Sequence, residues 1–233
     1  MSARIIDTET TDVELPDVIE LAYTAPLPAP STPFARNDVA LQRYRPRKAI
    51  TLGAMATHHI IPEDLADCDL WCGKWFPEDC EYIVGHNVDF DWKAIGSPEL
   101  KRICTLALAR HVWPKNDSHT LSACIYSTHP HPLARQLVQE AHNAQADVDL
   151  CGRVLFSICR ILEPRDWAHL WAMSEKARVP TMFSWGKHKG RPIAEVRRLD
   201  PSYISWCLSG KCDAVNDDPY MRKALSQPVA LQS

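Results

Sequence analysis

The sequence predicts an α/β fold, a mixed sheet flanked by helices and followed by a small basic module. Three observations predict it. Residues 3–44 hold three β-type runs joined by polar or proline-rich connections, and from residue 52 helix-period and strand-period stretches alternate. Composition then shifts after Pro164, and a basic cluster begins a dozen residues later. Strands first, then alternating strand and helix, give one sheet layered with helices.

The elements follow in order. Residues 3–9 form a first strand, expected at the centre of the sheet because it is the shortest and most apolar. Residues 18–23 and 39–44 supply two more, in an antiparallel meander broken by the prolines at 26, 28, 30 and 33. Residues 52–70 turn helical, with a break at Pro62. A fourth strand at 81–84 leads through Gly85-His86-Asn87 into a helix whose Val88, Asp91, Trp92 and Ile95 share one face. A fifth strand at 102–106 runs into a helix to His111, and a short helix covers 120–126 between loops. A long helix spans 143–162, with Ala144, Val148, Cys151, Leu155, Cys159 and Leu162 as its apolar stripe and Pro164 as its stop. The domain reading is a body at 1–164, a linker at 165–180 and a small C-terminal domain at 181–233 that ends in a loose polar tail with room for one helix around 221–225.

Bulk properties bound the function. A chain of 233 residues buries one substantial core with room for an appendage. Its net charge of -3 excludes a protein held to nucleic acid by overall basicity but allows a local basic track. Nine scattered cysteines and no secretory leader point to the cytoplasm. No run approaches the ~18 apolar residues of a membrane span. Cys68, Cys72 and Cys80 lack the tight pairs of a zinc knuckle, so a zinc site there is disfavoured.

The chemistry begins in the first strand. Asp7 and Glu9 share a face, about 7 Å apart. Two carboxylates on a core element repel each other and lose hydration, a cost that a divalent cation removes. Asp91 and Asp147 bring two more acids to helix faces that should be apolar. Four carboxylates suit two divalent ions, and oxygen-only ligands favour Mg²⁺ or Mn²⁺. Such centres serve in-line displacement at phosphorus, which needs a base. His142 lies five residues before Asp147, at or just outside the start of the same helix. An imidazole, titrating near ~6.5 when unperturbed, suits that role.

These residues fall into three motifs, Asp7-Thr8-Glu9, Gly85-His86-Asn87-x-x-Phe90-Asp91 and His142-x-Ala144-x-x-Asp147. Together they resemble the DEDDh family of 3′-to-5′ exonucleases, which use the ribonuclease-H-like fold. The likeness extends through Val18–Ala22, Ala54–Ile60 and Ser118–Ser122. It implies Asp7, Glu9, Asp91 and Asp147 as metal ligands and His142 as general base. Thr8, Thr10, Asn87 and Phe90, within or beside the motifs, would border the substrate, and His58 would line the terminal-nucleotide pocket. Val13 or Leu15, just past the metals, offers a wedge against a base. Two features depart from the pattern: Asp12 follows Thr10-Thr11 where a glycine is usual, and the proline-rich loop is long.

Residues 183–192 and 200–206 are similar to the small domain that ends the bacterial exodeoxyribonuclease X group of that family. Residues 176–198 carry a net +6, which leaves -9 on the rest of a chain whose total is -3. Phosphate contacts from Lys187, Lys189 and Arg191 would add salt-dependent affinity without sequence reading. The bland alternative is a solvated turn between two strands, with Trp185, Tyr203 and Trp206 as its core.

The expected activity is stepwise release of 5′-mononucleotides from DNA 3′ ends, single-stranded and, in an open extension, duplex. RNA, a homodimer and association with a DNA polymerase remain open. The competing readings are a proofreading subunit, an RNA-trimming nuclease and a catalytically silent nucleic-acid-binding protein.

Overall fold

Alternating residues of β1 (Ala3–Thr10) bury Ala3 and Ile5 on one side of the strand, and the same face then presents Asp7 and Glu9. The computed structural model, which describes residues 1–14, 16–75 and 77–227, places this strand at the centre of a five-stranded sheet. Its centrality matches expectation but the stated reason does not, because at eight residues it is the longest strand. β2 (Val18–Tyr23) pairs antiparallel to β1, and β3 (Ala40–Arg43) antiparallel to β2. β4 (Tyr82–Gly85) and β5 (Lys101–Cys104) add parallel strands on the other side, giving the order β3-β2-β1-β4-β5. This is the mixed α/β architecture of ribonuclease-H-like proteins.

Helices cover the sheet. α1 (Leu52–His58) is capped by Thr51 and followed by a 3-10 turn at Pro62–Leu65, so residues 52–70 break at Pro62 as expected. Ile50, Ile60 and Leu65 close over Ile19 of β2. α2 (Asp89–Ala94) leaves β4, and α3 (Thr105–Val112) leaves β5. α4 (Leu121–Thr128) is followed by α5 (His131–Leu137), where sequence periodicity gave only a loop at 127–132. Pro132 lies in the first turn of α5, where its fixed φ suits a helix and its missing N–H costs nothing.

α6 (Ala144–Leu162) lies against β1 and β2. Its buried face is wider than the six-residue stripe, because Ala146, Leu150, Val154 and Ile158 are buried too, while Leu162 is not. Gly152 admits the proline-rich loop: a Cβ there would stand 2.5 Å from the Phe34 ring. The expected linker holds α7 (Trp167–Ala177), with Trp167 and Leu170 buried and the Trp167 indole N–H donating to Leu27 O at 2.9 Å.

The chain divides into two compact units, Met1–Ser174 and Glu175–Ser233. The second contains α8 (Ile193–Leu199), α9 (Pro201–Leu208), α10 (Asp213–Asn216) and α11 (Pro219–Ser226). Asp200 and Asp218 cap α9 and α11, and a proline opens each. Phe183, Ile193, Val196, Ile204, Cys207, Val215, Met221 and Leu225 form its core. The alternative of a turn between two strands is not met, since the basic loop carries only one antiparallel bridge, between Met182 and Pro192. The residues that follow Lys211 are less loose than expected, because Val215, Met221, Ala224 and Leu225 are buried, and α11 falls where one helix was expected around 221–225. The remainder of that tail, 228–233, lies outside the described residues.

No helix of the described residues is long and apolar enough to cross a membrane.

Candidate metal centre

Three of the four predicted acids meet. Asp7, Glu9 and Asp147 each offer a carboxylate oxygen within 4.8 Å of the others. β1 brings the first two, and the first turn of α6 brings Asp147. Asn143 fixes where that turn begins, accepting from Ala146 N at 3.2 Å.

Asp91 lies on α2, 4% exposed, and its Oδ1 accepts from Thr8 N at 3.0 Å and from Thr8 Oγ1 at 2.8 Å. It stands outside the 4.8 Å group. Nonetheless it is the largest charge acting on Asp7. Thr8 therefore turns its polar atoms to Asp91 rather than outward, and is buried.

The electrostatics are those of a site awaiting positive charge. Burial, then Asp91, Asp147, Glu9 and Glu20 hold the Asp7 carboxyl well above the ordinary carboxylate range. Burial, then Asp147 and Glu20, push Glu9 up to about 8. Burial raises Asp91 to about 7 against the two Thr8 hydrogen bonds, and Asp147 to about 6 against the His142 N–H. Protons stabilise this cluster only by removing its charge; a divalent cation stabilises it ionised. The donor set is all oxygen and fits a hard cation.

His142 sits at φ 68, in the left-handed region, and its backbone N–H donates to Asp147 Oδ2 at 3.2 Å. The residue is exposed, and the charge of its imidazole, when protonated, favours ionised Asp147. His58 is buried, and its Nδ1 accepts from Ile60 N at 3.0 Å. Its Nε2 has no hydrogen-bond partner among the described residues; the Thr10 carbonyl favours the protonated ring without bonding it in good geometry. Burial lowers the pKa of His58, so the ring is neutral with its proton on Nε2.

The other predicted contacts vary. Thr10 Oγ1 donates to Asp12 O at 2.9 Å and closes a turn. Asn87 is exposed at φ 77, with Phe90 half-buried beside it. Val13 is 78% exposed, and Leu15 lies outside the described residues. In the C-terminal unit Lys189 and Arg191 are exposed, but Lys187 Nζ is held 2.8 Å from Asp200 Oδ2.

One residue escaped the sequence reading. Glu20 is 0% exposed, directly across the strands from Glu9. Its Oε2 meets Arg43 Nε at 2.8 Å, and its Oε1 accepts from Ala144 N at 3.2 Å, at the start of α6. The available signal was an acid inside the otherwise apolar Val18–Tyr23.

Comparison with known proteins agrees with this geometry. The family model for the exodeoxyribonuclease X-like C-terminal region matches residues 183–209. Exodeoxyribonuclease 10 of Escherichia coli K12 is 26% identical over 210 residues, covering 88% of this chain and 90% of its own. A solved exonuclease X, in complex with 5′-overhanging duplex DNA, is 25% identical with a TM-score of 0.60, covering 74% of this chain and 99% of that one. An E. coli exonuclease I bound to single-stranded DNA shares the fold at 15% identity, TM-score 0.55, over 77% of this chain and 45% of its own.

Fold, acidic cluster and these likenesses together are those of a DEDDh-like 3′-to-5′ exonuclease. Within that class the chain is a relative of bacterial exodeoxyribonuclease X and carries its characteristic C-terminal module.

Proposed function

We propose that this exonuclease shortens DNA from its 3′ end, releasing 5′-mononucleotides, with two Mg²⁺ or Mn²⁺ ions held by Asp7, Glu9, Asp91 and Asp147. The observation that carries the reading is the convergence of Asp7, Glu9 and Asp147 within 4.8 Å, with Asp91 the strongest charge on Asp7. When bound, divalent cations activate a water and neutralise charge at the leaving oxygen and the phosphate. The chain's own groups do the rest. His142 takes the proton of the attacking water from an exposed, left-handed corner that Asp147 anchors through its backbone N–H. The bond from phosphorus to the 3′-oxygen breaks, and the 5′-mononucleotide leaves with the new P–O bond. His58, buried with its Nδ1 accepting from Ile60 N, lines the terminal-nucleotide pocket. Asn87, Phe90 and Val13 border the strand end, and Lys189 and Arg191 of the C-terminal unit contact nucleic-acid phosphates.

Oligonucleotides labelled at the 3′ or 5′ end, as DNA and RNA, single-stranded and duplex, test this with Mg²⁺, Mn²⁺ or EDTA. Loss of the 3′ label first, a ladder of 5′-labelled DNA products, and silence in EDTA and in Asp7→Ala are expected. Release from the 5′ end, or retained cutting in Asp7→Ala, rejects the reading.

A further inference from the structure

Among the described residues of the C-terminal unit, one large aromatic ring is exposed. Trp206, on α9, is 45% exposed. It is nevertheless fixed, because its ring packs on Tyr203, one turn earlier, at 5.6 Å between centroids and 34° between planes. Tyr203 is itself wedged edge-on between Phe183 at 5.6 Å and His188 at 4.8 Å. The indole is therefore a rigid face.

The loop beside this stack is built with equal care. Asp200 Oδ2 meets Lys187 Nζ at 2.8 Å and His188 Nε2 at 3.0 Å, while its Oδ1 accepts from Ser202 Oγ at 2.7 Å and Tyr203 N at 3.1 Å. Gly186, at φ 70, approaches Tyr203 so closely that a Cβ would lie 2.4 Å from the phenol oxygen. One carboxylate and one ring thus tie the loop to α9. Lys187 is neutralised in doing so, and Arg197 is spent on the carbonyls of Ala224 and Leu225. Lys189 and Arg191 remain exposed with no ion pair among the described residues.

A fixed π-face beside unpaired cations is the chemistry that takes an unpaired base and its phosphates. We propose that the C-terminal unit binds single-stranded nucleic acid without sequence preference, a base stacking on Trp206 while Lys189 and Arg191 hold adjacent phosphates. The proposal rests on reading the chain as a nuclease that works on DNA, and it adds the stacking residue and the unpaired state of the strand. Paired bases have no free face to offer, so a blunt duplex gains only the phosphate contacts.

Anisotropy of dye-labelled oligonucleotides with the full chain, in EDTA so that nothing is cut, tests it. Trp206→Ala weakens binding of a single strand by roughly 10-fold or more, whereas Trp206→Phe restores most of the affinity. Lys189→Gln with Arg191→Gln flattens the salt dependence, lowering the log–log slope by about 1.4 for two lost single-strand contacts. Circular dichroism of each variant establishes that it is folded. Single-strand affinity within twofold of the parent in both the alanine and the double glutamine variants overturns the proposal. An equal loss on blunt duplex for Trp206→Ala overturns the stacking. Failure of the nuclease reading is a separate result, the absence of hydrolysis by the parent protein with Mg²⁺.

Discussion

Thr8 gives two hydrogen bonds to one oxygen of Asp91, from its backbone N at 3.0 Å and its hydroxyl at 2.8 Å, across 83 residues of sequence. The hydroxyl bond favours the ionised carboxyl against burial. Outer partners of this kind are worth roughly 10- to 100-fold in metal affinity or activity. Thr8→Val, which keeps the shape and the backbone bond, should raise the Mg²⁺ concentration needed for half activity by about 10-fold. Thr8→Ser should restore it. A Mg²⁺ titration of exonuclease rate decides; a valine variant with the parent's curve dissociates Thr8 from the site.

Crowded acids also set the pH dependence of the metal-free protein. Glu9 titrates at about 8 against an ordinary 4.5, so between those values the folded chain keeps a proton that the unfolded chain has lost. Stability from this group is whole below pH 4.5 and falls as pH rises toward 8. Asp91 and Asp147, raised to about 7 and about 6, act in the same direction. Calorimetry in EDTA should record a falling Tm from pH 5 to pH 8, and Mg²⁺ should lift Tm most at the upper end. Asp7→Asn should raise the metal-free Tm at pH 8, each ~1 kcal/mol of relief appearing as roughly 2–4 °C. A Tm that climbs through this range in EDTA would falsify the electrostatic account.

Glu20 separates acceptor from charge. Its Oε1 bonds Ala144 N, while its charge faces Glu9 across the strands. Glu20→Gln keeps one acceptor for the Ala144 N–H and removes the repulsion of Glu9, but it gives up the Arg43 ion pair, so its loss of stability should be smaller than that of Glu20→Ala. Glu20→Ala leaves the Ala144 N–H buried and unpaired, at a cost of about 1–3 kcal/mol. Urea denaturation of both variants distinguishes the roles; equal losses mean that the hydrogen bond is immaterial.

Gly186 offers a test of the C-terminal unit alone. Alanine there must adopt φ 70 and meet the Tyr203 hydroxyl, and the next atom of that ring is 3.7 Å away. Gly186→Ala should destabilise the unit by about 1–2 kcal/mol from backbone strain alone, with the clash added. Tyr203→Phe, in the same chain, should recover the clash but not the strain. A double-mutant cycle without coupling excludes this packing.

How much could be read beforehand follows from how local each feature is. Asp7 and Glu9 declare themselves because a strand alternates, and Asp147 because an acid interrupts a helical stripe capped by Asn143. The basic character of residues 176–198 was visible too, but not that Lys187 and Arg197 are consumed internally. α5 was hidden by His131-Pro132, which reads as loop although proline suits a first turn. α10 was hidden by its shortness and polarity, and the packing of α11, though a helix was expected around 221–225, gains meaning only against Phe183 and Ile204. The Thr8–Asp91 bond and the burial of Glu20 depend on partners 83 and 124 positions away, which no periodicity encodes.

The central claim is that Asp7, Glu9, Asp91 and Asp147 gather around divalent cations. Anomalous diffraction at the manganese edge, from crystals soaked in Mn²⁺ and a nucleoside 5′-monophosphate, addresses it most directly. The account predicts manganese peaks within about 2.5 Å of Asp7 oxygens, shared with the other three carboxylates. An Asp7 carboxylate without a manganese neighbour, in crystals of protein that degrades DNA with Mn²⁺, contradicts it.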